Sequence, residues 1–344
     1  MSDPQPAQRL ACLIVGRNLG DAAIQSCFLE ALAARGYARQ YLVWTRPQVA
    51  FLFRDIPDCE VVCSQFPVGT TKQFGRLEVG RFLRAAWKIR RRRPSVTLDL
   101  IGDFRERFFA RLAGSPQHLH IGWAAGHPFA RIIRNHFGPG RPLVTVPVDR
   151  LNVYEAHELM LDSLTGSRTA VGSNRSAPAP ARKVLRVGLH PFASQKCKLW
   201  PPENWRQLIR ELLDRGAEVV VFGAPAERQL MLELVGNLSE RVTLIAESLE
   251  SFARHTATLD VMIGLDSFSA HMARRQGVRS VTINAGNLPG LWSVPAPMGL
   301  MLASSGGCPH YPCFNVPKCV GGTNEYVCVK SISVSQVLEA IGPC

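Results

Sequence analysis

Short apolar runs alternate with segments of helical period along almost the whole chain, and no other feature restricts the fold as strongly. "LACLIVG" (10–16) reads as a buried strand and feeds "DAAIQSCFLEALAARG" (21–36). In that segment Ile24, Cys27, Phe28, Ala31 and Leu32 fall on one helix face and Gly36 marks the stop. Further strands are expected at "QYLVWT" (40–45), "EVVCSQF" (60–66), "SVTLDLIG" (95–102), "HLHIGW" and "LVTVPV", with a basic helix within 75–92 and another helix over 103–114. Strands that alternate with helices pair in parallel and build an α/β domain.

The alternation stops at "GSNRSAPAPARK" (172–183), which has linker composition and no apolar period. It then restarts. "VLRVGLH", "EVVVFG", "VTLIA", "DVMIG" and "SVTINAG" read as strands. The intervening helices include "ENWRQLIRELLDRG" (203–216), with Trp205, Leu208, Ile209, Leu212 and Leu213 on one face. The expected organisation is a first Rossmann-like domain over 1–171, a linker over 172–183, a second domain over 184–330 and a terminal helix over 331–344. The two domains should flank a cleft, with the terminal helix near their junction.

Composition excludes several classes. With 46% hydrophobic and 19% charged residues the chain of 344 is neither disordered nor, lacking an apolar run of ~20 residues, membrane-spanning. The N-terminus lacks the pattern of a signal peptide, which favours the cytoplasm. Ten cysteines are too few for a disulfide scaffold of this length. The net charge of +13 is lopsided: residues 1–183 carry 26 Lys and Arg against 14 Asp and Glu, whereas 184–344 nearly balance. The basic half, peaking at "WKIRRRRP", attracts polyanions such as nucleic acid, acidic headgroups or a phosphorylated substrate. A nucleic-acid binder is disfavoured because the basic stretch lacks interleaved aromatics and no recognised module is present.

Ligands of doubly wound sheets bind beyond the carboxyl ends of the strands. Four such places carry chemistry. In "VGRNLGDAA", Asp21 is either a first-turn acid of a helix or a general base. In "HPFASQKCKLWPPENW", Lys198 is a point charge suited to a phosphate, or a solvated lysine. In "VVVFGAPAERQ", Glu227 suits ribose hydroxyls, or is a first-turn glutamate. In "LDVMIGLDSFSAHMARRQGV", Asp266 or Ser267 caps a helix whose N-terminus favours an anion, with His271 in its first turn or so.

Taken in order, "NLGDAA", "DLIGDFRERFFARLAG", "KLWPPENW", "VVVFGAPAER", "DSFSAH" and a late cysteine cluster resemble glycosyltransferase family 9, the heptosyltransferases of bacterial lipopolysaccharide synthesis. The resemblance implies a GT-B architecture with acceptor on the first domain and a nucleotide-activated sugar on the second. It places the catalytic aspartate on Asp21, the phosphate-binding lysine on Lys198, a nucleotide-contacting glutamate on Glu227, and donor contacts on Asp266, Ser267 and His271. Arg17 and Asn18 fall on the acceptor side. It implies inverting transfer without a catalytic metal or cofactor. The co-substrate would be ADP-heptose or another sugar nucleotide, and the acceptor an anionic glycolipid reached by transient contact with the inner membrane surface. A capsule or protein acceptor with a different sugar, or an epimerase, are the alternatives. Two departures stand out: Phe268 replaces a usual glycine, and "DAAIQSC" lacks a proline often found there. Cys308, Cys313, Cys319 and Cys328 do not have the paired spacing of a zinc ribbon. They are open to a structural metal, a disulfide or no ligand.

Overall fold

In the computed structural model the described residues are 9–16, 18–67, 76–102, 104–123, 141–146, 152–166 and 184–342. The expected linker over 172–183 lies outside them. The chain divides into two units, Met1–Gly172 and Ser173–Cys344.

The first unit has six parallel strands, β1 (Leu10–Val15), β2 (Gln40–Thr45), β3 (Cys59–Cys63), β4 (Val96–Asp99), β5 (Gln117–Trp123) and β6 (Arg141–Val146), in the order β3-β2-β1-β4-β5-β6. Its helices are α1 (Leu19–Ala34), α2 (Phe51–Arg54), α3 (Arg76–Arg91), α4 (Phe104–Ala113) and α5 (Val153–Thr165). β1 and β2 bury nearly every side chain, as parallel strands covered on both faces must. Gly36 follows α1 at φ +66, the left-handed conformation expected of its stop. One core cluster gathers around Trp44, whose ring meets Phe66, Phe82 and Phe109 at 4.8–6.0 Å and whose indole N–H donates to Ser64 at 2.8 Å. α3 supplies Phe82, Ala85, Ala86 and Ile89 to this cluster and α4 supplies Phe109, Ala110 and Ala113.

The second unit repeats the plan with β7 (Arg186–His190), β8 (Glu218–Gly223), β9 (Val242–Ala246), β10 (Val261–Leu265), β11 (Arg279–Ile283) and β12 (Gly299–Leu302), ordered β12-β11-β10-β7-β8-β9 and parallel throughout. Its helices are α6 (Pro202–Asp214), α7 (Arg228–Val235), α8 (Leu249–Thr256), α9 (Phe268–Arg275), α10 (Val327–Lys330) and α11 (Val334–Ile341). α6 buries Trp205, Leu208, Ile209 and Leu212, the face its spacing sets out. α11 places Val334, Val337, Leu338 and Ile341 into the core of this second unit. Trp200 donates to the carbonyl of Ile332 at 2.8 Å and ties the approach of α11 to the start of α6.

In both sheets the strand order reverses next to the first strand of the unit: between β1 and β4, and between β7 and β10. Such a reversal splays the flanking loops apart and opens a crevice at the carboxyl ends of the two strands.

Candidate donor and acceptor sites

In the first unit, the loop leaving β1 at its reversal point runs directly into α1. Gly16 passes under Phe66, and a Cβ there would lie 2.7 Å from the ring. Asn18 is the N-cap in extended conformation, and Asp21 stands three residues into the helix. Asp21 Oδ2 accepts from the Asn18 backbone N–H at 3.2 Å and from Asn18 Nδ2 at 3.1 Å. The carboxylate is nearly buried, at 9% exposure. The first-turn role is therefore realised, and it also anchors one carboxylate oxygen at a fixed place beyond β1. Arg17 lies outside the described residues. Across the reversal point, β4 ends at Asp99, whose Oδ1 accepts from the N–H groups of Ile101 (3.0 Å) and Gly102 (2.8 Å) and shapes the following turn.

In the second unit, the loops after β7 and β10 meet. Lys198, on the loop leaving β7, donates from Nζ to the Asp266 carbonyl at 2.8 Å and to Asp266 Oδ2 at 3.0 Å. Asp266 directly follows β10 and is 7% exposed. Among the described residues these two acceptors engage two of the three ammonium N–H donors. Asn287 Nδ2 donates to the same Asp266 oxygen at 3.1 Å. Asn284, buried at the end of β11, donates to the Asn287 carbonyl at 3.0 Å and to the Tyr311 hydroxyl at 3.2 Å. The carboxyl ends of β7, β10 and β11 are joined by one polar network.

Ser267 is the N-cap of α9, with no side-chain capping bond. Its hydroxyl lies 3.4 Å from that of Ser269. Ser269 sits over Gly264, where a Cβ would stand 2.5 Å from its Oγ, so the glycine allows the helix start to press onto β10. His271 is buried, and burial pushes its pKa down to about 4 against the opposing pull of Asp266. A neutral imidazole one turn into α9 can donate one hydrogen bond without adding charge.

Glu227 does something else. Its Oε2 accepts from the Ala224 N–H at 2.6 Å, so the carboxylate closes its own helix start at the end of β8. Phe268, the first residue of α9, packs its ring on Phe252 at 5.4 Å. His190, unassigned by sequence reasoning, ends β7 at the reversal point. Burial pushes it down to about 4, and its Nδ1 has no hydrogen-bond partner among the described residues.

The four late cysteines come together. Cys308, Cys313, Cys319 and Cys328 line one small cavity with Cys197, His310 and Tyr311. Gly286 leaves room for it, since a Cβ there would be 2.4 Å from Cys313 Sγ. The described cysteines are free thiols. Among the described residues no three His, Cys, Asp or Glu side chains stand so as to share a metal ion. Burial pushes the Cys197 and Cys328 thiols up.

Residues 162–321 match the family model of glycosyltransferase family 9 (heptosyltransferase). Lipopolysaccharide heptosyltransferase 1 of Escherichia coli is 30% identical to this chain over 95 residues, an alignment spanning 27% of the chain and 30% of that relative. Among solved structures, the E. coli heptosyltransferase WaaC with ADP-2-deoxy-2-fluoro heptose is similar with a TM-score of 0.70 at 14% identity, covering 96% of this chain and 98% of that one. The iron-containing dodecameric glycosyltransferase TibC of enterotoxigenic E. coli is similar at TM-score 0.57 and 14% identity, covering 97% of this chain and 75% of that one. These likenesses establish the GT-B fold of two Rossmann-like units.

Proposed function

We propose that the chain is an inverting glycosyltransferase that moves a sugar, in the first instance a heptose, from a nucleotide diphosphate to a hydroxyl of an anionic, membrane-held glycan of the lipopolysaccharide core type. The observation that carries this is the meeting of Lys198, Asp266 and the α9 N-terminus at the reversal point of the second sheet. A helix N-terminus and a lysine beside it suit a diphosphate. The match of residues 162–321 to the family 9 model and the likeness to WaaC, solved with an ADP-heptose analogue, support the donor class.

In the proposed step Asp21 accepts the proton of the acceptor hydroxyl. The oxygen attacks the anomeric carbon from the face opposite the phosphate, the C–O bond to the diphosphate breaks, and configuration inverts. Lys198 and the α9 amides stabilise the charge that builds on the departing diphosphate, which is how transfer proceeds without a catalytic metal. His271 and Ser267 contribute neutral hydrogen bonds to the donor. Glu227 reaches nucleotide hydroxyls only if it exchanges its cap for the ligand.

The excess positive charge of residues 1–183 suits a phosphorylated acceptor at the inner face of a membrane. Among the described residues no helix is long and apolar enough to cross a bilayer, so the contact is peripheral in this reading.

A thermal-shift screen across ADP-, UDP-, GDP- and dTDP-sugars tests the proposal. One class should raise the melting temperature with saturating concentration dependence, and Lys198→Met should abolish the shift. Equal indifference to all four overturns the donor-site assignment.

A further inference from the structure

α3 buries one face and leaves an unusual one outside. Phe82, Ala85, Ala86 and Ile89 enter the core. On the outer side Leu77 is 80% exposed, Leu83 54% and Trp87 57%. Single exposed apolar residues are commonplace. Here four share one helix, Val79 among them, with Leu83 and Trp87 a turn apart, and arginines stand between them.

The charges around them do not cancel. Glu78 is engaged by Arg81 at 2.7 Å, and Glu60 by Lys88 at 3.1 Å and Arg92 at 2.9 Å. Arg84, Arg91 and Arg93 form no ion pair among the described residues. Arg91 lies over the Trp87 ring at 4.7 Å, so cation and indole are presented together. A helix designed only to face water would carry glutamates and lysines in these places.

We propose that the outer face of α3 docks the protein on an anionic lipid bilayer, with Leu77, Leu83 and Trp87 entering the headgroup layer and Arg84, Arg91 and Arg93 meeting lipid phosphates. Amphipathic helices of this composition lie in the plane of the interface, their apolar side chains reaching the acyl boundary. Tryptophan suits that depth because its ring is apolar and its N–H polar. Guanidinium groups bind phosphates in bidentate fashion, which a lysine ammonium cannot do. A second copy of the chain is a poorer occupant, since the same positive face would repel itself.

The inference rests on the reading of a membrane-held acceptor and names the element that meets the membrane. Its test measures binding rather than transfer, so either can fail alone. The full-length protein is sedimented with vesicles of phosphatidylcholine, and with vesicles containing phosphatidylglycerol, at low and high salt. Binding should require phosphatidylglycerol and weaken with salt. Arg84→Glu combined with Arg91→Glu should reduce partitioning at least about 25-fold, following roughly fivefold per basic side chain. Leu83→Ser combined with Trp87→Ser should also reduce it, without a change in melting temperature because these side chains are exposed. Brominated lipids should quench the wild-type fluorescence more than that of Trp87→Phe. Equal partitioning of wild type and both double variants overturns the proposal. So does loss of self-association in light scattering by the Leu83 and Trp87 variant with vesicle binding intact, which would make the face a protein contact.

Discussion

Removing the Lys198 ammonium perturbs two properties that can be measured apart. The ammonium is 3.0 Å from Asp266 Oδ2, with side chains 17% and 8% exposed. Lys198→Met leaves the carboxylate of Asp266 in its buried place with the neutral Asn287 amide as its remaining described donor. Breaking a buried pair from one side costs about 3–5 kcal/mol. The partial exposure of the lysine argues for the lower end, about 3 kcal/mol. For a unit of 172 residues that is a fall of roughly 6–12 °C in melting temperature. Asp266→Leu should cost less, because a long lysine can swing its charge into water. The double variant Lys198→Met with Asp266→Leu contains no stranded charge and should be more stable than the sum of the singles by about 1–3 kcal/mol. Denaturant or thermal unfolding of the four proteins gives the coupling directly. Strict additivity, or a Lys198→Met melting temperature within a degree of wild type, would refute the claim that the pair organises this site. Nucleotide binding should be lost in both proteins carrying Lys198→Met whatever their stability.

Gly264→Ala places a methyl carbon 2.5 Å from Ser269 Oγ; it should push the start of α9 off β10, cost about 1–3 kcal/mol and weaken nucleotide binding, and an alanine variant with wild-type affinity would count against the close approach. His157 and His271 are both held neutral with pKa values pushed down to about 4 by burial. The unfolded chain, at about 6.5, takes up protons that the folded chain refuses. Their stabilisation is therefore complete above about pH 6.5 and declines as the pH falls toward 4, by about 2 kcal/mol for each at pH 5; a melting temperature flat between pH 7 and 5 would contradict this. In the proposed chemistry Lys198 and the α9 amides carry the leaving-group charge, so exhaustive chelation should leave transfer unchanged, and activity restored by one added metal would replace that account.

The alternation that defines both sheets is legible in the sequence because parallel strands covered on both faces must be near-continuous apolar runs. β2 and β8 occupy the residues that their composition marks. β12 is not legible: "GLML" is four residues long and has no β-branched side chain. α5 also escapes the apolar pattern, since its buried face includes Ala156 and His157. The cap of Asn152 and Glu155 was the signal that could have found it. For the site, position beyond a strand selected Lys198 and Asp266, but their pairing joins residues 68 apart and exists only once β7 and β10 are neighbours. The same holds for Asn287, Asn284 and Tyr311, which are ordinary polar residues until the fold assembles them. Glu227 shows the converse, where local capping explains a residue that the position alone made attractive.

The most direct test of the proposed chemistry is acceptor-dependent nucleotide release by wild type and Asp21→Asn, with the sugar nucleotide found to stabilise the protein and a core glycolipid as acceptor. The amide keeps the shape of the side chain but cannot take a proton at neutral pH. Release should fall by at least about a hundredfold, while stabilisation by the nucleotide, which depends on the second unit, stays as in wild type. Undiminished release by Asp21→Asn would contradict the account.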